Sequence, residues 1–186
     1  MMHWIAIALA AILAAVVIVI YNGLVKRRQM ALNGWSDITV QLKRRAELIP
    51  DLVQVVKGYA RHERELFAEV TDRRARALSA GDDVRTRGMT EARLQTGEQR
   101  LLALAEAYPD MKSDTNFRDL QAELSETEEK IEMARRFYNG AVRELNTAVE
   151  TFPGNLVASA FRIGTRDYFE LDDPADAAVP DVEFDA

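Results

Sequence analysis

From Trp4 to Ile20 every position is apolar, 17 in a row, and no Lys, Arg, Asp or Glu precedes Lys26. At about 1.5 Å per residue, Trp4 to Asn22 covers about 28 Å as a helix, close to the ~30 Å hydrocarbon core of a bilayer. The run is apolar on every face, which suits a membrane span and not a half-buried helix of a soluble core. Residues 1–25 are therefore expected to form a transmembrane anchor. Only Met1, Met2 and His3 stand before the run, so the basic n-region of a cleaved signal is missing. The nearest A-x-A pattern, Ala6-Ile7-Ala8, lies inside the run. Lys26, Arg27 and Arg28 follow the anchor at once. By the positive-inside rule they predict an outside N-terminus and a cytoplasmic C-terminal part.

Beyond the anchor the pattern changes to steps of three and four. The clearest run is Phe117, Leu120, Leu124, Thr127, Ile131, Ala134, Tyr138, Ala141, Leu145, Ala148 and Phe152, a coiled-coil-like seam with one polar member, Thr127. Asp114 is a suitable N-cap and Pro153-Gly154 a stop, so one helix is predicted from about Thr115 to Thr151. A second seam is Leu94, Gly97, Leu101, Leu104 and Tyr108, ended by Pro109-Asp110. Ser79 to Asp83 reads as a loop. Before it, Trp35, Ile38, Leu42, Arg45, Ile49, Leu52, Val56, Tyr59, Glu63, Leu66 and Val70 keep one phase, with Arg45 and Glu63 as charged members.

Pro50 divides two readings of that first seam. It either kinks one long helix or opens a new one after a turn. A single helix to Ser79 would leave the late helix overhanging a shorter return helix, so a break at Pro50 is preferred. The expected architecture is all-α: the anchor, then an antiparallel helical bundle over residues 26–170. Four helices are preferred, with three long helices as the alternative. No useful strand-like alternation occurs, although Phe161 to Phe169 has the look of an extended segment.

Charge narrows the function. The net charge is −6, but seven acids lie between Glu170 and Ala186 with no base among them. Without them the chain is close to neutral and mixed in sign, which argues against nucleic-acid binding. Residues 171–186, with Pro174 and Pro180, read as a disordered acidic tail. There is no Cys and the only histidines are His3 and His62. That leaves no thiol nucleophile and too few ligands for a zinc or di-iron site, and no Gly-rich phosphate loop is present. His62 sits among Arg61, Glu63 and Arg64, a solvated run. No cofactor, no metal and no catalytic residue is therefore expected. On the late helix Glu123, Glu126, Glu128, Glu129 and Glu132 form an acidic band followed by Arg135 and Arg136. Exposed ion pairs of that kind are worth ~0–1 kcal/mol each. The sharper expectation is a polar network in the bundle, drawn from Arg45, Glu63, Glu128 and Arg135.

Several short motifs, in order, resemble the LemA family. They are Trp35-Ser36-Asp37-Ile38, Val40 to Arg45, Leu48-Ile49-Pro50, Val56-Lys57-Gly58-Tyr59, Leu104 to Asp110, Asn116-Phe117, Thr127 to Ile131, Ala134 to Asn139, Phe152-Pro153 and Asn155-Leu156. The similarity runs from Tyr21 to Glu170. Gly34 stands where the family usually has Ala, and the acidic tail is longer than the pattern leads one to expect. The resemblance implies a bacterial inner-membrane protein with a cytoplasmic helical bundle and no established enzyme activity. The function expected is a membrane-anchored scaffold or adaptor, its bundle binding a protein partner of unknown identity or a second copy of itself. A membrane-tethered sensor binding a small ligand is the alternative.

Overall fold

The computed structural model describes residues 1–171; the stretch 172–186, which holds nearly all of the expected tail, lies outside the described residues. The described chain is helical, with no strand among the described residues. Six helices follow in order: α1 (Met2–Tyr59), α2 (Arg64–Ser79), α3 (Val84–Ala107), the single turn α4 (Pro109–Ser113), α5 (Thr115–Glu150) and the short α6 (Gly154–Ala160). The chain divides into two compact units, and α1 and α5 each contribute to both.

The larger unit contains Thr39–Glu132. Its core is built from the inner faces of its helices: Ile49, Leu52 and Val56 from α1, Leu66, Phe67 and Val70 from α2, Leu94 and Leu101 from α3, Met111 from α4, and Phe117 and Leu124 from α5. All but Phe67 and Met111 are seam positions of the sequence, buried because steps of three and four return a residue to one helix face. Gly97 lies on the α3 seam against α2; a Cβ there would lie 3.0 Å from Val70 Cγ2. Asp83 caps α3 by accepting from the Thr86 N–H at 2.7 Å. Asp114 does the same for the start of α5, accepting from Phe117 N at 3.1 Å. Its other oxygen accepts from the Tyr59 hydroxyl at 2.6 Å. That bond holds the Asp114 carboxyl below its usual range and pushes the Tyr59 phenol up.

Pro50 does not break the chain, contrary to the preferred break there: α1 runs through it to Tyr59. The reason is a tertiary donor. Proline has no N–H to give to the carbonyl four residues back, which leaves Ala46 O without its helical partner. Arg74 Nε on α2 donates to that oxygen at 2.6 Å. The turn falls instead at residues 60–63. The single long helix to Ser79 fails as well, because α1 and α2 are separate.

The smaller unit contains Met1–Ile38 and Met133–Tyr168. Leu24 on α1, Leu145 on α5, Val157 and Ala158 on α6, and Ile163 form its core, and Val17, Ile20, Tyr21, Val25, Ala148 and Val149 pack against them. Trp35 and Tyr138 pack ring to ring at 5.6 Å. Phe152, the last member of the late seam, is exposed, because α5 stops at Glu150 before the seam reaches it. The segment after α6 is irregular and not a strand. Asn146 holds it from both sides, donating to Arg166 O and accepting from Arg166 N, each at 2.9 Å. The Tyr138 hydroxyl adds a bond to Asp167 O at 2.9 Å.

Candidate functional site: a buried charge cluster

The most unusual chemistry lies inside the larger unit. Arg45 occupies a seam position of α1 and is 0% exposed. A guanidinium there has lost its hydration and must be matched by acceptors on facing helices. α3 supplies Glu91, which is equally buried: its Oε2 accepts from Arg45 Nη2 at 2.8 Å, and its main-chain oxygen from the same nitrogen at 3.3 Å. α5 supplies Glu128, whose Oε2 accepts from Arg45 Nη1 at 3.0 Å. The other oxygen of Glu128 accepts from Gln95 Nε2 at 2.8 Å. Arg87 Nε lies 3.1 Å from Glu91 Oε1, an ion contact without hydrogen-bond alignment. Thr127, the polar member of the late seam, turns its hydroxyl back to Glu123 O at 2.7 Å.

Glu98, two helical turns beyond Glu91 on α3, is also buried, and its Oε2 has no hydrogen-bond partner. Burial raises its pKa to about 7; the positive Arg45 opposes that rise and Glu128 adds to it. Burial pulls the Arg45 pKa down, but Glu91, Glu128 and Glu98 together more than reverse this and hold it above its ordinary value. Arg45 is thus a fixed cation, whereas Glu98 gains or loses its proton near neutrality. Arg45, Arg87, Glu91 and Glu128 balance in charge, and a neutral Glu98 keeps the cluster balanced.

Of the four residues expected to form a polar network, the structure brings Arg45 and Glu128 together. Glu63 stands at the start of α2, half-buried, its carbonyl accepting from Phe67 N at 3.2 Å; it is not a partner of Arg45. Arg135 is half-buried on α5 in the smaller unit. The partners that sequence reasoning missed are Glu91 and Glu98. A signal existed: both fall on the same three-and-four spacing as Leu94, Leu101 and Ala105. Elsewhere in the acidic band Glu126 pairs with Lys130 at the surface. Among the anchor-flanking residues, Lys26 and Arg28 are exposed, and Arg27 Nη1 donates to Gly23 O at 3.2 Å.

Two surface depressions lie in the same unit. One, of about 540 Å³, is lined by Lys57, Arg64, Phe67, Ala68, Thr71, Asp72 and Ala75. The other, of about 320 Å³, is lined by Glu69, Asp72, Arg73, Arg76, Thr90 and Arg93, and its rim carries ion pairs such as Arg76 with Asp72. Among the described residues no group of three or more His, Cys, Asp or Glu is placed to hold a metal ion.

Fold and site together define an all-helical protein with one N-terminal helix long and apolar enough to cross a membrane, and a head whose charged residues are partly turned inward. The family model for the LemA family matches residues 34–184, and the chain belongs to that family. Its relatives include Magnetosome protein MamQ 2 of Paramagnetospirillum magneticum, 23% identical over 81% of this chain and 64% of that protein. Magnetosome protein MamQ of Magnetospirillum gryphiswaldense is 22% identical over 80% of this chain and 64% of its own. Protein LemA of Metamycoplasma hominis is 25% identical over 74% of this chain and 63% of its own. The chain thus spans a little under two-thirds of the length of these relatives.

Proposed function

We propose that this protein is a single-pass, membrane-anchored scaffold or adaptor without enzymatic activity, with its helical head on the cytoplasmic side of a bacterial inner membrane. The observation that carries the reading is α1. The apolar run and the core positions Ile38, Leu42 and Ile49 belong to one unbroken helix, Met2–Tyr59. A span that passes into a folded head without a linker suits a protein that presents a surface at a membrane. The buried cluster supports a structural role, because its ion pairs tie α1, α3 and α5 to one another. Buried pairs of this kind contribute to register more than to net stability. Exposed apolar side chains such as Val40 on α1 offer contact points for a protein partner or a second copy.

Photo-crosslinking from Val40 in native membranes, followed by identification of the adducts, tests the partner. Discrete protein adducts are expected; adducts with lipid and water alone would overturn the scaffold reading. Orientation rests on Lys26, Arg27 and Arg28. A phosphatase active only in the periplasm, fused after Ala186, is expected to be silent, and strong activity would reverse the topology. The second reading, a tethered sensor, is favoured by the depression around Phe67, which combines an apolar floor with Lys57, Arg64 and Asp72.

A further inference from the structure

The end of the apolar run is not free. Val17, Ile20 and Tyr21 pack against the core that α6 helps to build, and the Tyr21 and Phe161 rings lie 4.6 Å apart. Val17 and Ile20 belong to the very stretch that a bilayer has to cover if residues 4–22 span it. A membrane that covers them reaches the level of α6. On and beside α6 the chain exposes three large apolar side chains: Phe152 at 80%, Leu156 at 62% and Phe161 at 52%. Phe152 and Leu156 are four residues apart. In water such a group is a liability.

The charges nearby suit a lipid surface. Arg162 follows Phe161 and is exposed, and Lys26 and Arg28 are exposed just beyond the span. Glu150 is the acid nearest to Phe152 in the chain. Aromatic and aliphatic side chains flanked by Arg and Lys are the composition of an element seated at the boundary of headgroups and acyl chains.

We infer that α6 and its flanks form an interfacial membrane contact, with Phe152, Leu156 and Phe161 inserted into the cytoplasmic-side lipid boundary and Arg162, Lys26 and Arg28 on anionic headgroups. The inference rests on the reading of residues 4–22 as a span. The lipid-facing surface of the protein then extends beyond the span onto the short helix packed against it, so that the smaller unit grips the bilayer at two places. The three side chains are exposed because their partner is lipid.

Because the chain has no cysteine, single labels report without background. Full-length Leu156→Cys, Leu13→Cys and Leu78→Cys variants would each carry an environment-sensitive fluorophore. Each would be reconstituted into vesicles of phosphatidylethanolamine and phosphatidylglycerol. One set of vesicles contains lipid spin-labelled near the carbonyl, the other lipid spin-labelled near the middle of the acyl chain. Leu13, in the run, is expected to be quenched by the deep label. Leu78, exposed at the end of α2, is expected to be quenched by neither. The probe at Leu156 is expected to lose about half its intensity or more to the shallow label. If it behaves like Leu78 and is quenched by aqueous iodide instead, α6 faces water and the inference fails. If it is shielded from iodide and from both lipid labels, a protein covers α6 and the inference fails as well. An unquenched Leu13 would remove the span reading itself, so the two failures are distinguishable. Leu156 is outside the core, so the substitution leaves folding intact.

Discussion

Glu98 is a pH-sensitive group buried in the larger unit. Its carboxyl titrates at about 7 in the folded chain against an ordinary value of 4.5, chiefly because burial disfavours the anion. A carboxyl with a raised folded pKa binds its proton in the native state where the unfolded chain has already released it. Stability therefore falls as pH rises from about 4.5 to about 7 and is flat, for this group, on either side. The whole effect is on the order of 3 kcal/mol. Glu98→Gln is expected to remove that slope: close to neutral near pH 5, and more stable than the parent by about 1–3 kcal/mol at pH 8. Urea denaturation at the two pH values checks this. A parent and variant with parallel pH profiles would show that Glu98 is ionised in the fold. Arg45 behaves oppositely. Arg45→Met leaves Glu91 buried without its main cation and is expected to cost about 3–5 kcal/mol at neutral pH.

Among the elements, α5 was the most legible. Its seam has a strict period, its cap is a local Asp114 and its stop is a local proline, so sequence alone places its ends within a residue or so. Leu124→Asp, at a position 2% exposed, is expected to cost about 3 kcal/mol or more, and Glu129→Lys, on the exposed side, less than about 0.5 kcal/mol. Equal shifts in melting temperature would contradict the seam. α1 was not legible in the same way, because what carries it through Pro50 is a side chain 24 residues later. Local pattern cannot show that Arg74 replaces the missing donor for Ala46 O. The same limit hid Glu91 and Glu98 from a reading that began at Arg45: the pairing depends on which helices face each other. The Pro50 assignment yields a double-mutant test. Arg74→Met is expected to cost about 1–3 kcal/mol, since it leaves a carbonyl with neither donor. In a Pro50→Ala background, where the helical N–H returns, most of that cost is expected to vanish. Additive effects would mean that the Arg74 bond does not substitute for the helical one.

At the scale of the whole molecule, the question is where the anchor ends and the head begins. Charge alone draws the line at residue 25, before Lys26. Packing draws it earlier, because Leu24 is a core residue of the smaller unit and Val17, Ile20, Tyr21 and Val25 pack beside it. The last turns of the apolar run therefore belong to the folded unit as well as to the proposed span. Two truncations separate these boundaries. Removing residues 1–16 deletes exposed apolar positions and is expected to abolish the span with the fold retained, leaving α6 as the remaining membrane contact. Removing residues 1–25 also deletes Leu24, at 2% exposure, together with its neighbours. At roughly 1.5–3 kcal/mol for each large side chain taken from a core, that loss is comparable to the stability of a small unit. The shorter protein is expected to lose protection of the amide hydrogens around Leu145 and Val157 while Leu52 and Leu101, in the core of the larger unit, stay protected. Hydrogen exchange on the two purified truncations reads this directly. Equal protection at Leu145 in both would place the boundary after residue 25 and make the contacts of Val17, Ile20 and Leu24 dispensable.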